Sequence, residues 1–550
     1  MSVFIGYPSF MAYQMMKGKK DNNDGFPSIP GMIARYSASG LTNEQMKENP
    51  VWVDKTGNGH DLQMKNFAYG GMSGVNGYKF DFLLNEWATT SNEQISEKYS
   101  YKIVINNKRN SVQLINNSRH IKITLKITGI EINKSIFRVY DNAGVEHKQD
   151  YTKDGIYEID YTANEGANKI YFYVFGGNMG QLENPITIEQ LPLYPGALVF
   201  DGVDDYGVCE NFPILTKEKG YTVVALRQWI SIDEGPCGLV SNVKHWFEDG
   251  AFVLESLYPD SIYTISFGAT RGQKDLPHIF TYQTSKSYNG NLIATGSYKG
   301  TDVLHVGRLV PTNVGARSNV AIWELVFLDH DATEEELTKI KDYFVKTYPW
   351  LFPDQAWTVT GKTNEDEDRA TITNITGNGN DLVLSNFGFI EGSGYNEEGQ
   401  YAGYLVTDGV DDKIISSIFK MGKDFTIVGD WKFIDNKKSG TGLVKGSSFY
   451  IYNTMIGLDL YINSGSVKNS LDGIKSINAA CSDGRAYDRN WNEILANTGN
   501  VVGSGGILEV SSSGGRFDRI AFKNLAIYPR ILSKDDCIKA YNYLQTLKAK

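Results

Sequence analysis

The chain has 550 residues, more than one hydrophobic core accommodates, so two to four domains are expected. A formal net charge of −10, with no Lys/Arg-rich run longer than Lys17-Gly18-Lys19-Lys20, argues against a nucleic-acid partner, and no stretch reaches the ~20 apolar residues of a membrane-spanning helix. The 56 Gly and 33 Tyr favour strands joined by tight turns.

Residues 1–28 combine Phe4, Tyr7, Phe10, Met11, Tyr13, Met15 and Met16 with a polar tract over 17–24. Such a segment is either an arm that docks on another surface or one that packs on its own first domain. It lacks a basic n-region and a cleavage motif, so no secretory leader is expected. From Ile29 a short apolar strand (32–36) leads to Trp52-Val53-Asp54 and then to Thr56-Gly57-Asn58-Gly59, a tight turn in which the glycines supply positive φ. A further strand follows over 62–67.

Three blocks of this region recur later. Thr56-Gly57-Asn58-Gly59-His60-Asp61-Leu62 returns as Thr376-Gly377-Asn378-Gly379-Asn380-Asp381-Leu382, and Asp201-Gly202-Val203-Asp204-Asp205 returns as Asp408-Gly409-Val410-Asp411-Asp412. Residues 321–344 align without a gap on 521–544. Three blocks in one order define a domain present twice. The spacing between the first two blocks is 113 residues longer in the first copy, which places an insertion near 82–195. The insert alternates with period two around Ile103, Ile121, Phe137, Ile159 and Phe172, which predicts a small β-sandwich of its own.

Each copy ends on an apolar strand and a capped helix. Thr333 with Glu336 forms a capping box ahead of an apolar face of Leu337, Ile340, Phe344 and Val345. Ser533 and Asp536 precede the equivalent face of Cys537, Ala540, Tyr541 and Leu544. The expected architecture is therefore all-β. It comprises an arm (1–28), a first sandwich (29–81 plus 196–348), an inserted sandwich (82–195), a linker (349–356) and a second sandwich (357–550).

The Gly-Asn-Gly turn, the apolar strand leading into Asp-Gly-Val-Asp-Asp, and the strand–helix ending resemble concanavalin A-like, laminin-G-type jelly rolls. The short apolar N-terminus and the insert ending Pro185-Ile186-Thr187-Ile188-Glu189-Gln190-Leu191-Pro192 are similar to tail or virion-associated proteins of Bacteroidales phages, including the crAss-like ones. The resemblance implies a virion location, a tail-fibre or other appendage role, and anchoring to other virion proteins through the N-terminal arm. It also implies a homo-oligomer, with a trimer favoured, and a host-surface glycan as receptor. The alternative is a secreted or cell-surface carbohydrate-binding protein of a bacterium, located outside the cell.

Retaining glycosidases need two carboxyl groups about 5–5.5 Å apart, and the Glu-x-Asp-x-x-Glu strand signature that would place them is absent. The nearest carboxylates are Glu158 with Asp160, where Ala163 occupies the third position, and the run Glu365-Asp366-Glu367-Asp368. The seven histidines are scattered, so neither a metal set nor a triad emerges. The chain is expected to be non-enzymatic and to need no cofactor. Calcium is the one ion considered, with Asp204, Asp205, Asp411 and Asp412 as its candidate ligands. Their spacing lacks the alternation of a calcium loop, so turn-forming carboxylates are the favoured reading. Cys209, Cys237, Cys481 and Cys537 lack a CxxC pattern and are read as buried thiols. For a glycan, the candidates are the tryptophans with polar neighbours, Trp87, Trp246 and Trp491.

Overall fold

Alternation along the strands sets which side chains enter the cores. In His120–Thr128, Ile121, Ile123, Leu125 and Ile127 are buried while Lys122, Thr124 and Lys126 face outward. The computed structural model describes residues 24–550 except 85–86, 90–94, 107–111, 132–134, 177–183, 216–218, 232–237, 243–251, 255–264, 268–277, 284–300, 309–316, 421, 436–440, 446–448, 454–456, 463–469, 473–476, 496–504, 511, 514–515, 518 and 550. The fold is all-β, built from sandwich sheets that are antiparallel apart from the pair Phe252–Leu254 and Ile265–Phe267.

The chain forms two compact units. One runs to Ala68 and resumes over Gly196–Tyr348; the other joins Tyr69–Pro195 to Pro349–Lys550. The insert thus interrupts the first repeat in sequence but belongs to the same compact unit as the second. The cut falls at Ala68, so residues 69–81 go with the insert. Residues 349–356 are likewise part of the second unit. Pro349–Leu351 is a 3₁₀ turn and Gln355–Thr358 is already a strand.

In the first repeat one sheet has the order His278–Gln283, Thr222–Ser231, Asn319–Leu328, Leu198–Asp201, with Met32–Ser37 also paired to Asn319–Leu328. In the second, Ile477–Cys481, Thr426–Asp435, Arg519–Tyr528 and Tyr404–Val406 follow the same order, with Gln355–Thr358 paired to Arg519–Tyr528. The long central pair is irregular at equivalent places, between Leu226 and Arg227 and between Trp229 and Ser231 in one copy. In the other copy the breaks lie between Asp430 and Trp431 and between Phe433 and Asp435. Each break re-aims the side chains that follow it.

A threonine locks the helix approach in both copies. Thr222 Oγ1 donates to the His330 carbonyl and accepts from the Ala332 N–H, each at 2.8 Å. Thr426 does the same with Arg530 and Leu532 at 2.9 Å. The second sandwich closes over Trp357, Ile427, Trp431, Leu508 and Phe522. Each such side chain contributes about 1.5–3 kcal/mol of burial.

The insert is a sandwich of two five-stranded sheets around Trp87, Ile121, Phe137, Ile159 and Phe172. The two closing helices then diverge. Glu334–Thr347 carries the expected capping box and buries Ile340, Tyr343 and Phe344, with Leu337 and Val345 only half-buried. Lys534–Thr546 is capped by Ser533 and buries Cys537, Ile538, Ala540, Tyr541, Asn542, Tyr543 and Leu544, nearly its whole circumference. A helix buried on two faces has a second covering layer, and the insert supplies it.

Candidate ligand site of the second unit

The insert strands His120–Thr128 and Gly155–Thr162 pair with Lys122 opposite Asp160 and Thr124 opposite Glu158. Their inward residues fill the insert core, so these four form one polar outer face. The second sandwich presents Tyr404, Asp430, Lys432 and Lys523, with Arg489 and the Tyr541 side of its closing helix. Lys122 Nζ lies 3.0 Å from Glu158 Oε1 and 3.3 Å from Asp160 Oδ2. Glu158 Oε2 accepts from the Tyr541 hydroxyl at 2.8 Å and lies 3.3 Å from Arg489 Nη1. Asp430, fully buried, accepts from Arg489 Nη2 at 3.0 Å, from the Tyr404 hydroxyl at 2.9 Å and from Gln545 Nε2 at 3.4 Å. Its own N–H donates to Asn524 Oδ1.

This network sets the local charge. Burial pushes the Asp430 carboxyl up, but Lys122, Arg489, Lys523 and Lys432 outweigh it and hold the group well below the usual carboxylate range. Burial, followed by repulsion from Lys122, pushes Lys523 down to about 8. Lys432 is lowered as well, chiefly by burial. Lys79 is lowered by burial and by Lys122, although its side chain stands exposed and solvent weakens that effect. Five cations (Lys79, Lys122, Lys432, Lys523, Arg489) thus share three carboxylates (Glu158, Asp160, Asp430).

A cavity of about 260 Å³ opens beside the network, lined by Lys79, Lys122, Ile123, Thr124, Glu158, Leu191, Leu193, Tyr194, Lys523, Tyr541, Asn542, Gln545 and Thr546. Lys523 Nζ donates to Gln545 Oε1 at 2.7 Å. Asn542 is 5% exposed, and its amide has no hydrogen-bond partner among the described residues. The amide opens onto the cavity, where it is available to an incoming group. The arrangement offers ammonium, amide and hydroxyl donors beside an apolar wall.

Of the tryptophans selected from sequence, Trp87 and Trp491 are buried and present no glycan surface. Trp87 is not on a loop: strand Trp87–Thr89 turns it into the insert core against Phe80, Phe82 and Phe172, at 1% exposure. Trp491 occupies a turn at φ 59°, where Asp488 accepts from the Asn490 and Asn492 N–H groups. The turn directs its ring inward onto Tyr487 and Tyr541, at 2% exposure. A sugar stacks on an open ring face, and neither residue has one. Trp246 lies outside the described residues, as do residues 1–23 of the arm. The described end of that segment packs on the first sandwich, with Phe26 against Tyr343 and Asp24 2.8 Å from Arg35.

The aspartate blocks act as turns. Asp201 Oδ1 accepts from the Val203 and Asp204 N–H groups, while Asp205 Oδ2 accepts from Asp201 N–H. Asp408, Val410, Asp411 and Asp412 repeat these bonds one for one. Gly202 and Gly409 take φ of 80° and 75°, and a Cβ on Gly202 would stand 2.8 Å from Asn319 Cβ. In each block three carboxylates converge, within 4.8 Å of one another. Burial, with repulsion from Asp408 and Asp411, pushes Asp412 up to about 6. Two of the three carboxylates are already committed to backbone N–H groups. In the acidic run, Asp366 accepts from Thr363 and Asp368 pairs with Lys362.

Sequence reasoning had named Glu158 and Asp160 only as an unmatched carboxylate pair and had missed Asp430, Arg489, Lys523 and Asn542. The available signal was the difference between the repeats. Register places Asp430 where the first copy has Leu226, and Lys523 where it has Trp323.

No family model matches the chain, and no characterised protein matches it. Among solved structures it is similar to a Trypanosoma rangeli sialidase in complex with sialic acid, at 10% identity over 81% of this chain and 82% of that one, with a TM-score of 0.26. It is also similar to the botulinum neurotoxin serotype D binding domain, at 10% identity over 92% and 97%, with a TM-score of 0.16. At these scores neither likeness carries an argument about chemistry. The expectation of a non-enzymatic chain is nevertheless corrected: enzymes stand among the structures it matches, and a missing strand signature does not exclude hydrolysis.

Proposed function

We propose that the chain is a carbohydrate-binding attachment protein that receives its glycan in the cavity of the second unit. The observation that carries this reading is Asn542, buried in the cavity wall with its amide unpartnered among the described residues. Thr124, Gln545 and Thr546 add the hydroxyl and amide groups that sugar hydroxyls pair with, and Leu191 and Leu193 give an apolar wall. At about 260 Å³ the space lies below the ~300–1,000 Å³ of drug-sized pockets, in keeping with one monosaccharide unit.

The finer reading is a phage virion appendage, trimeric and anchored by residues 1–28, and it rests on the sequence resemblance. Saturation-transfer NMR of the full chain against bacterial surface polysaccharides tests the glycan site. Asn542→Ala is expected to weaken binding about tenfold, the loss of one well-made hydrogen bond. Binding unaffected by the substitution would remove the cavity from consideration. Light scattering showing a stable trimer supports the appendage, and absence of the protein from purified virions of its source phage overturns it.

A further inference from the structure

We propose that the cavity of the second unit is an anion-binding site and, resting on the glycan reading above, that the sugar it takes carries a carboxylate. Lys523 and Lys79 both line the cavity, and neither has a carboxylate within ion-pair distance among the described residues. The third lysine, Lys122, shares Glu158 and Asp160, while Arg489 holds Glu158 and Asp430. The carboxylates present are therefore used up by the two cations nearest them, and the surplus positive charge faces the cavity. Asn542 is the independent observation. Its unpartnered amide lines the same cavity, about one helical turn before Gln545, the residue that Lys523 bonds, and can complete the shell around a group that Lys523 attracts.

Mutual repulsion among Lys122, Lys432 and Lys523 is the cost an anion would relieve. The groups acting on Lys523 from all sides are Lys122, Asp430, Glu158 and Lys432. Because its ammonium loses its proton near pH 8, anion affinity is expected to be constant at lower pH and to fall as pH rises through about 8. A neutral ligand has no reason to follow that curve.

The test is calorimetry on the full chain at low ionic strength with three probes: methyl β-D-glucuronide, methyl β-D-glucoside and inorganic phosphate. The glucuronide is expected to bind at least about tenfold more tightly than the glucoside and to weaken about tenfold between about pH 6.5 and about pH 9.5. Lys523→Met is expected to abolish the difference between the two sugars. Lys79→Met, at the exposed rim, is expected to reduce it without disturbing the fold. Equal affinity for glucoside and glucuronide overturns the anion site and leaves the glycan reading standing. Phosphate binding without either sugar upholds the anion site and removes the glycan reading. Failure of both anions to bind overturns the proposal.

Discussion

The two repeats share the strand order around their long central pair and its two bulges, yet they bury different electrostatics on the same sheet. In the first, Arg35 and Glu324 form a bidentate pair, Nε to Oε2 at 3.1 Å and Nη2 to Oε1 at 3.2 Å. Tyr343 accepts from Arg35, and Tyr348 donates to Glu324 at 2.8 Å. Among the described residues that network draws on its own repeat and on Asp24 just ahead of it, 2.8 Å from Arg35. In the second, Asn524 stands in the place of Glu324, and the buried charge moves one strand over to Asp430. Asp430 draws its counter-charges from Arg489 and Lys523 and also from Lys122 of the insert. The first repeat thus completes its network without the insert, whereas the second draws on the insert to complete its own. The helices report the same change, one buried along a single stripe and the other on nearly every side.

The sharpest break of this comparison is removal of the central acid from each network. Glu324→Gln leaves Arg35 buried without its bidentate partner and is expected to cost about 3–5 kcal/mol in urea unfolding of the first unit. Asp430→Asn is expected to cost a similar amount in the second, since Arg489 keeps only Glu158. Their pH dependence separates them. Arg35 opposes it, but burial raises the Glu324 pKa above its ordinary value. The folded first unit therefore holds the Glu324 proton more tightly than the unfolded chain does, so the wild type gains stability as pH falls toward about 4 and the penalty of Glu324→Gln grows there. The Asp430 pKa is depressed, so the stability it contributes is complete above about pH 4 and is lost only below it. The Asp430→Asn penalty should therefore shrink as pH falls below about 4, the opposite trend to Glu324→Gln. Identical pH profiles for the two variants would contradict this account.

A smaller effect tests whether the insert is energetically part of the second repeat. A double-mutant cycle of Glu158→Gln with Tyr541→Phe is expected to show a coupling of about 0.5–3 kcal/mol. Additive losses would mean that the 2.8 Å bond between them contributes nothing to cohesion. The caps come next. Thr333→Ala and Ser533→Ala are each expected to cost about 1 kcal/mol by chemical denaturation. Unequal losses would locate a difference between the helices at their ends rather than on their faces. Smallest of all is chelation. Because backbone N–H groups already engage two of the three carboxylates in each Asp-Gly-Val-Asp-Asp turn, excess EDTA is expected to leave the calorimetric transitions unmoved.

Most of the frame was legible because local chemistry writes it. Repeated turns, period-two strands and a Thr333–Glu336 capping box each declare themselves within a few residues. The site was not, for two physical reasons. Lys122, Glu158 and Asp160 occupy the outer face of paired strands, where charged residues read as a solvated surface. What covers them arrives from far along the chain; Tyr541 meets Glu158 across 383 positions. Trp87 misled for the converse reason. Its polar neighbours Asn85 and Glu86 suggested a loop, while strand alternation beginning at that residue decides which way the ring points.

The position of the insert also orders events during synthesis. The polar face of Lys122 and Glu158 emerges early, but the helix that roofs it, Lys534–Thr546, is translated almost last. At ribosomal rates the interval is on the order of tens of seconds. Throughout it the insert can fold around Trp87 and Phe172 with Lys122 and Glu158 hydrated. The second repeat then docks on a partner already in place, and the ligand cavity comes into being only with that final contact. A nascent or truncated chain lacking its last helix would hold every insert residue of the site and still have no pocket.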